Sequence, residues 1–127
     1  MISCVVVDDD PKIREVFCEL LTLIGVNVLA TGKNGRDAEI EYEKHHPDVV
    51  FVDLQMPKYD GYYAIEKIRM INPDAKIVVV TSDLKAKEST RLDSYDVTSI
   101  IYKPFDMHTV KQVLTNTILI HTDDSYG

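Results

Sequence analysis

The chain has 127 residues, which is enough for one ordinary domain and too few for two. Hydrophobic residues make up 45% and charged residues 28%, values that fit a globular protein and exclude a disordered chain. The net charge is −7 and no basic patch stands out, so a nucleic-acid-binding protein is not expected.

The N-terminal segment and the lengths of the apolar runs indicate where in the cell the protein is expected. No apolar run approaches the roughly 20 residues that span a bilayer, so membrane insertion is not predicted. No basic region precedes the apolar stretch near Met1, so a signal peptide is not predicted either, and we expect a cytoplasmic protein. Cys4 and Cys18 lack CxxC or metal-ligand spacing, which favours reduced cysteines.

Strand-length apolar runs alternate with helical patterns along the whole chain. In chain order the predicted elements are a strand at 5–7, a helix at 13–24, a strand at 26–31, a helix at 34–45, a strand at 49–52, a helix at 62–72, a strand at 77–80, a helix at 84–95, a strand at 99–102 and a helix at 107–118. Gly25 ends the first helix, and Pro47 closes the second. Asp106 can cap the last helix.

The alternation predicts an α/β fold. Three strands, at 5–7, 49–52 and 77–80, read as unbroken apolar runs, which indicates burial on both faces. A parallel five-stranded sheet between five helices satisfies that pattern, and right-handed crossovers limit its topology. We expect one domain over residues 1–120 and a short polar tail over 121–127.

Polar residues follow four of the strands. Asp8, Asp9 and Asp10 come after the first strand, and Asp53 comes after the third. The fourth strand is followed by Thr81 and Ser82 and the fifth by Lys103. Because ligands bind at the carboxyl ends of the strands in open parallel sheets, these side chains are predicted to form one site.

The charges at that edge favour a divalent cation. Carboxylates about 4 Å apart repel by about 4 kcal/mol at an effective dielectric near 20. An all-oxygen site suits Mg²⁺, with Mn²⁺ as the other candidate. A phosphoryl group arriving there would meet the metal, the Lys103 ammonium and the Thr81 hydroxyl. Asp10, which precedes Pro11, has an equal claim as a helix cap.

These motifs together resemble the receiver domain of two-component response regulators, the group typified by the chemotaxis regulator. The matching segments are 5–11, 52–57 with Asp60 and Gly61, 80–82 and 102–105. The resemblance covers nearly the whole chain. It implies a doubly wound, flavodoxin-like fold with strand order 2-1-3-4-5.

The resemblance also assigns roles to single residues. Asp53 would be the phosphoacceptor and a metal ligand. Mg²⁺ would also bind Asp9 directly, Asp8 through a metal-bound water, and the backbone carbonyl of Gln55. The phosphoryl group would be contacted by Lys103, Thr81 and Ser82. The bond before Pro104 would be cis. In this family the positions of Gln55 and Asp83 tune the lifetime of the phosphorylated state.

One departure from the family pattern concerns the output of the signal. Receivers commonly carry an aromatic residue three positions before the lysine, and this chain has Ile100 there. Tyr102 lies on the same strand face by the two-residue period. Tyr102 could replace the aromatic residue or simply pack, and the sequence leaves both open.

The function implied is a stand-alone signalling switch. A sensor histidine kinase or histidine phosphotransfer protein would phosphorylate Asp53, small phosphodonors would do so without a partner, and the acyl phosphate would hydrolyse slowly. Phosphorylation would change a docking surface for a separate effector, formed by the fourth helix, fifth strand and fifth helix. Such a protein is a phosphoacceptor and not an enzyme in the ordinary sense.

Two alternatives remain open on the sequence. A phosphatase of the haloacid dehalogenase type would use Asp8 as nucleophile, but Lys12 stands where that family has threonine. A binding-only pseudo-receiver or a flavin carrier would lack one of the acids or the lysine, or would need a different loop after the first strand. The residue that carries the acyl phosphate distinguishes the phosphatase from the switch.

Overall fold

A computed structural model describes residues 1–119, with the side chains of 118 and 119 excepted. The elements are β1 (Ser3–Val7), α1 (Pro11–Leu23), β2 (Asn27–Gly32), α2 (Gly35–His45), β3 (Val49–Val52), α3 (Gly61–Ile71), β4 (Ile77–Thr81), a 3₁₀ turn (Ala86–Glu88), α4 (Thr90–Tyr95), β5 (Ser99–Tyr102), α5 (Met107–Leu114) and a π-helical turn (Thr115–Leu119). The predicted tail and the boundary at residue 120 lie outside the described residues and stay predictions.

The five strands are parallel and lie in the order β2-β1-β3-β4-β5. Both the predicted fold class and the strand order are confirmed. The register aligns Val7 of β1 with Val52 of β3. Further along the same sheet, the register aligns Thr81 of β4 with Tyr102 of β5. The residues that follow these strands therefore emerge side by side at one edge of the sheet.

Helices cover both faces of the sheet, as the unbroken apolar runs predict. Alternate strand residues point to opposite faces, because the side-chain period of a strand is two. One face buries Val5, Val7, Val50, Val52 and Val79 against α2, α3 and Leu92 of α4. The other face buries Val6, Phe51, Val78 and Val80 against α1 and α5. There Phe17 stacks edge-on against Phe51 and Phe105, with ring centroids 5.0 and 4.7 Å apart.

Side chains cap the starts of the α-helices. The capping residues are Asp10, Asn34, Asp60, Ser89 and Asp106, each accepting a backbone N–H from the first turn of its helix. The capping interpretation of Asp10 is thus confirmed, since its Oδ1 accepts Lys12 N–H at 2.9 Å. Asp106 caps α5, as predicted.

The helix predicted at 84–95 is wrong in one respect, because two short elements occupy that stretch. Ser89 has extended backbone angles, φ −74° and ψ 115°, which interrupt a continuous helix. Its N–H closes the 3₁₀ turn on Ala86 O, and its Oγ accepts Leu92 N–H to start α4. A serine that can serve as N-cap competes with helix continuation, and polar composition alone did not reveal it.

The helices are short. At 13 residues, α1 is the longest in the described part of the chain, whereas a bilayer-spanning helix needs about 20. Within residues 1–119, no helix has the length and apolar character needed to cross a membrane.

Arg69, near the end of α3, holds the α4 end of the domain together. Its Nε donates to Tyr95 O at 2.9 Å, and its Nη2 donates to Asp96 O at 2.7 Å. Its Nη1 donates to Ala75 O and, at 3.3 Å, to Pro73 O. One guanidinium thus joins the C-terminal end of α4 to the loop that enters β4.

Replacing Arg69 by glutamine is expected to lower the free energy of unfolding by about 2–3 kcal/mol, because charged donors to several carbonyls are lost together. Urea denaturation followed by far-UV circular dichroism measures the change. Arg36→Gln is the matched control, since Arg36 is exposed, pairs with Glu39 at 3.7 Å and should change stability far less than Arg69 does. Equal effects of the two substitutions would contradict the role assigned to Arg69.

Candidate functional site

The predicted acids and the lysine meet at the carboxyl edge of the sheet. Asp8 follows β1 and Asp53 follows β3, and both are buried, while Asp9 is exposed at the rim. One carboxylate oxygen from each of the three lies within 4.8 Å of the others. An open cleft is lined by Asp8, Asp9, Asp53, Gln55, Ser82 and Lys103.

Lys103 reaches this cluster from β5. Its Nζ donates to Asp8 Oδ2 at 2.7 Å and to Asp53 Oδ2 at 3.2 Å. Its backbone N–H donates to Thr81 O at 2.8 Å, which continues the sheet ladder past β5. The following bond to Pro104 is cis, as the resemblance implies. The ammonium therefore neutralises part of the charge of two buried carboxylates.

The cluster shifts the pKa values of its members. Burial is the largest influence on Asp53 and raises its pKa; Lys103 opposes the shift, and the Asp8 charge adds to it. Burial alone would lower the pKa of Lys103. The hydrogen bond that Lys103 donates to Asp8 and the charges of Asp53 and Asp8 outweigh burial and raise that pKa. Lys103 is consequently held in its charged form.

Every polar group of Asp8 has a partner. Its N–H donates to Gly32 O at 3.1 Å, and its Oδ1 accepts Asp10 N–H at 2.9 Å. Its Oδ2 accepts the Lys103 ammonium, and its carbonyl accepts Arg14 Nη1 at 2.7 Å. The β1–α1 loop is thus held in place. The Asp9 carboxylate is exposed, so Asp9 is freer than Asp8 to ligate a cation directly.

Arg14 has no place in the sequence-based description of the site. It lies in the second turn of α1, where the helix dipole makes a positive charge unfavourable. A basic residue so close to a helix N-terminus and to three acids is a sequence feature that could have indicated a role for Arg14 at the site. Its contact with the Asp8 carbonyl explains why it is tolerated there.

Asp53 is positioned by its backbone. Its N–H donates to Val7 O at 3.1 Å, which extends the pairing of β3 with β1. The N–H of Gln55 donates to Asp53 Oδ1 at 3.4 Å and places Gln55 at the rim. Gly61 passes so close that a Cβ there would lie 2.2 Å from Asp53 O and 2.6 Å from Leu54 Cα. The start of α3 thereby buttresses the loop that carries Asp53.

Thr81 and Ser82 differ in their surroundings. Thr81 is buried at the end of β4, and its Oγ1 accepts Asp83 N–H at 3.1 Å. Ser82 is exposed and lines the cleft. The Thr81 hydroxyl is therefore engaged with its own loop in this arrangement, and Ser82 is the hydroxyl that borders the acids.

The donor set fits a hard divalent cation. Three carboxylates from two strand ends converge on one point, and the ligand atoms are all oxygens. A cation there would neutralise repulsion that Lys103 only partly offsets. Asp8, Asp9 and Asp53 are the side chains that could hold it.

Ile100 and Tyr102 share one face of β5, as predicted. Both pack against the core cluster that contains Val79 and Leu92, whereas Ile101 packs on the opposite face. The Tyr102 hydroxyl accepts Lys87 N–H at 3.3 Å. The aromatic residue on this face thus contacts the segment that leads into α4.

Comparison with known proteins identifies the family of the chain. The family model for the response regulator receiver domain matches residues 4–115. Chemotaxis protein CheY of Bacillus subtilis is 30% identical over 115 residues, which cover 89% of this chain and 94% of that protein. Protein-glutamate methylesterase/protein-glutamine glutaminase 1 of Oleidesulfovibrio alaskensis is 33% identical over 111 residues, which cover 87% of this chain but only 30% of that protein.

A solved structure gives the same result for the fold. The response regulator protein TrrA of Thermotoga maritima, in complex with Mg²⁺-BeF, has a TM-score of 0.85 and 27% identity, covering 93% of this chain and 100% of that chain. A family model that spans most of the chain, a relative matched over nearly its whole length and this shared architecture all point to one family. The chain belongs to the response regulator receiver domain family and is a CheY-like phosphoacceptor protein of two-component signalling.

Proposed function

We propose that the chain accepts a phosphoryl group on Asp53 from a sensor histidine kinase or a histidine phosphotransfer protein, with Mg²⁺ bound. The observation that carries the proposal is the Lys103 ammonium, 2.7 Å from Asp8 Oδ2 and 3.2 Å from Asp53 Oδ2. A lysine so placed meets the oxygens of a group bound to Asp53. We also propose a cytoplasmic location.

The residues of the site suggest how the transfer proceeds. An Asp53 carboxylate oxygen forms a bond to phosphorus as the bond from phosphorus to the donor histidine nitrogen breaks, and the leaving imidazole takes a proton. Asp9, Asp53 and the Gln55 carbonyl would hold Mg²⁺, with Asp8 acting through a metal-bound water, and the ion would supply positive charge that offsets the phosphoryl oxygens. Lys103 contributes a second positive charge, with Thr81 and Ser82 as hydroxyl donors.

The same pocket supports slow loss of the phosphate. Water that attacks the acyl phosphate releases inorganic phosphate and restores the Asp53 carboxylate. Gln55 and Asp83 occupy the positions that tune this rate in the family. Gln55 is exposed and its N–H donates to Asp53 Oδ1, and Asp83 N–H donates to Thr81 Oγ1, so each of the two residues contacts a residue of the site.

We propose the α4, β5 and α5 face as the docking surface for an effector. Lys85, Lys87 and Arg91 are exposed in and before α4. Lys87 lies 5.8 Å over the ring of Tyr102 on β5, so this cation has an aromatic partner on the same face, whereas Arg91 lies 4.1 Å over the ring of Tyr62 on the neighbouring α3. A change at Thr81 is transmitted to these residues along the backbone that joins β4 to α4.

Two finer choices follow from the site. Mg²⁺ is the proposed ion, and the geometry offers no separate argument for Mn²⁺. The phosphatase alternative is not favoured, since the receiver-domain family model matches residues 4–115 and Lys12 stands where the phosphatase family has threonine. Its test is still direct, because it places the acyl phosphate on Asp8.

Intact-mass spectrometry after incubation with acetyl phosphate and Mg²⁺ tests the proposal. One phosphate adduct is expected in the wild type, and none is expected in Asp53→Asn or after chelation of the metal. Asp74→Asn is the matched control, because it makes the same chemical change at an exposed site in the α3–β4 loop and should keep the adduct. A full adduct in Asp53→Asn, or an adduct mapped to Asp8, would show that the proposed function is wrong.

A further inference from the structure

Tyr102 joins the end of β5 to the segment that precedes α4. Its hydroxyl accepts Lys87 N–H at 3.3 Å, and the Lys87 ammonium lies 5.8 Å from the centroid of its ring. The ring is partly buried against the core. One side chain therefore contacts both the backbone and the charge of the 3₁₀ turn.

The phenol replaces a backbone acceptor in that turn. The amides of Ala86, Glu88 and Ser89 each donate to the backbone carbonyl three residues earlier, as a 3₁₀ turn requires. Lys87 N–H donates to the Tyr102 hydroxyl instead. The turn is thus tied to β5 at its centre.

The segment from Ser82 to Ser89 lies between two further contacts, one near its start and one at the far end of α4. Upstream, Asp83 N–H donates to Thr81 Oγ1 at 3.1 Å. Downstream, α4 is held at its far end by Arg69, which donates to the carbonyls of its last residues. Between these two ties, the Tyr102 hydroxyl supplies a tertiary hydrogen bond to the middle of the segment. This segment carries Ser82, which borders the acids.

We infer that Tyr102 is a positioning residue for the phosphoryl site. Its hydroxyl holds the β4–α4 segment in the arrangement of the unphosphorylated protein. The inference rests on the proposed function. When Thr81 turns toward a phosphoryl group on Asp53, its oxygen leaves Asp83 N–H, the segment shifts, and the bond from Lys87 to Tyr102 opens. A contact made in one state only biases the equilibrium between the two states.

Removing the Tyr102 hydroxyl should therefore raise the affinity of the protein for an acyl-phosphate analogue. Tyr102→Phe keeps the ring and deletes the contact with Lys87 N–H. The state without that contact then forms more readily, and beryllofluoride, which forms an acyl-phosphate-like adduct with a carboxylate, should bind roughly two- to tenfold more tightly. A residue that only packs would leave this affinity unchanged.

The experiment combines amide hydrogen exchange by NMR with a beryllofluoride titration in the presence of Mg²⁺. In the wild type, the adduct should speed exchange at Lys87 relative to Ala86 and Glu88. In Tyr102→Phe, exchange at Lys87 should be fast already, and the adduct should form at lower concentration. Tyr95→Phe is the matched control, since it removes a phenol whose hydroxyl donates to Glu66 at 3.4 Å on the exposed surface.

The outcomes separate this inference from the function on which it rests. Unchanged or weaker beryllofluoride binding in Tyr102→Phe, with binding still abolished in Asp53→Asn, would overturn the role of Tyr102 alone. An unchanged Lys87 exchange rate on adduct formation in the wild type would do the same. Failure of the wild type to bind beryllofluoride, or binding retained in Asp53→Asn, would overturn both proposals.

Discussion

Replacing Lys103 by methionine is expected to lower the free energy of unfolding by about 3 kcal/mol in the absence of divalent cations, because two buried carboxylates lose their shared counter-charge. The Asp8 and Asp53 side chains are only 6% and 9% exposed, so water does little to replace the ammonium. Urea denaturation in the presence of a chelator measures the loss. Lys111→Met, at an exposed position on α5, should change stability by less than about 0.5 kcal/mol.

The loss of stability in Lys103→Met should be larger at high pH than at low pH. Burial and the Asp8 charge already raise the pKa of Asp53, and Lys103 is the main opposing influence. Without Lys103 the folded-state pKa rises further above the unfolded value, so the folded state binds a proton more readily than the unfolded state does. Stability then falls as pH rises from the unfolded-state pKa towards the raised folded-state pKa and levels off above it, so the deficit should be larger at about pH 8 than at about pH 4.

Mg²⁺ provides a second check on the Lys103 variant. Asp8 and Asp53 no longer hold an ammonium in this variant, so a divalent cation does not compete with the lysine for their oxygens. Added Mg²⁺ should therefore stabilise Lys103→Met more than the wild type and narrow the gap between them. A variant as stable as the wild type in chelator would show that the lysine does not neutralise the carboxylates.

The sheet was predictable because its signal is local and repeated. The apolar runs that became β1, β3 and β4 are buried on both faces, and only a parallel sheet between helices buries such runs completely. The stretch from 84 to 95 was harder to predict. There the outcome depends on Ser89 capping α4 and on the tertiary bond from Tyr102 to Lys87, and neither is visible as a periodicity.

The site was predictable to the extent that strand ends could be identified. Asp8, Asp53 and Lys103 meet because the register places Val7 beside Val52 and Thr81 beside Tyr102. The supporting contacts were not predictable in the same way. The bond from Arg14 to the Asp8 carbonyl depends on the direction in which α1 leaves its loop, and that direction is set by the packing of the buried α1 residues Phe17 and Leu21 against the sheet.

Gly61→Ala is expected to destabilise the protein by about 3 kcal/mol or more, because the new methyl group would meet backbone atoms that cannot swing aside. The added carbon would lie 2.2 Å from Asp53 O and 2.6 Å from Leu54 Cα. Relief requires α3 to separate from the loop that holds Asp53. The folded fraction should therefore also accept phosphate from acetyl phosphate more slowly, and urea denaturation together with intact-mass spectrometry measures the two effects.

Gly25→Ala distinguishes this steric effect from the general cost of losing a glycine. Gly25 has a positive φ of 89°, and a Cβ there would meet no atom within 4 Å. Its replacement should cost about 1–2 kcal/mol through backbone strain alone and leave the phosphorylation rate of the folded protein unchanged. If Gly61→Ala cost no more than Gly25→Ala and phosphorylated at the wild-type rate, the close approach of α3 to Asp53 would not be what positions the phosphoacceptor.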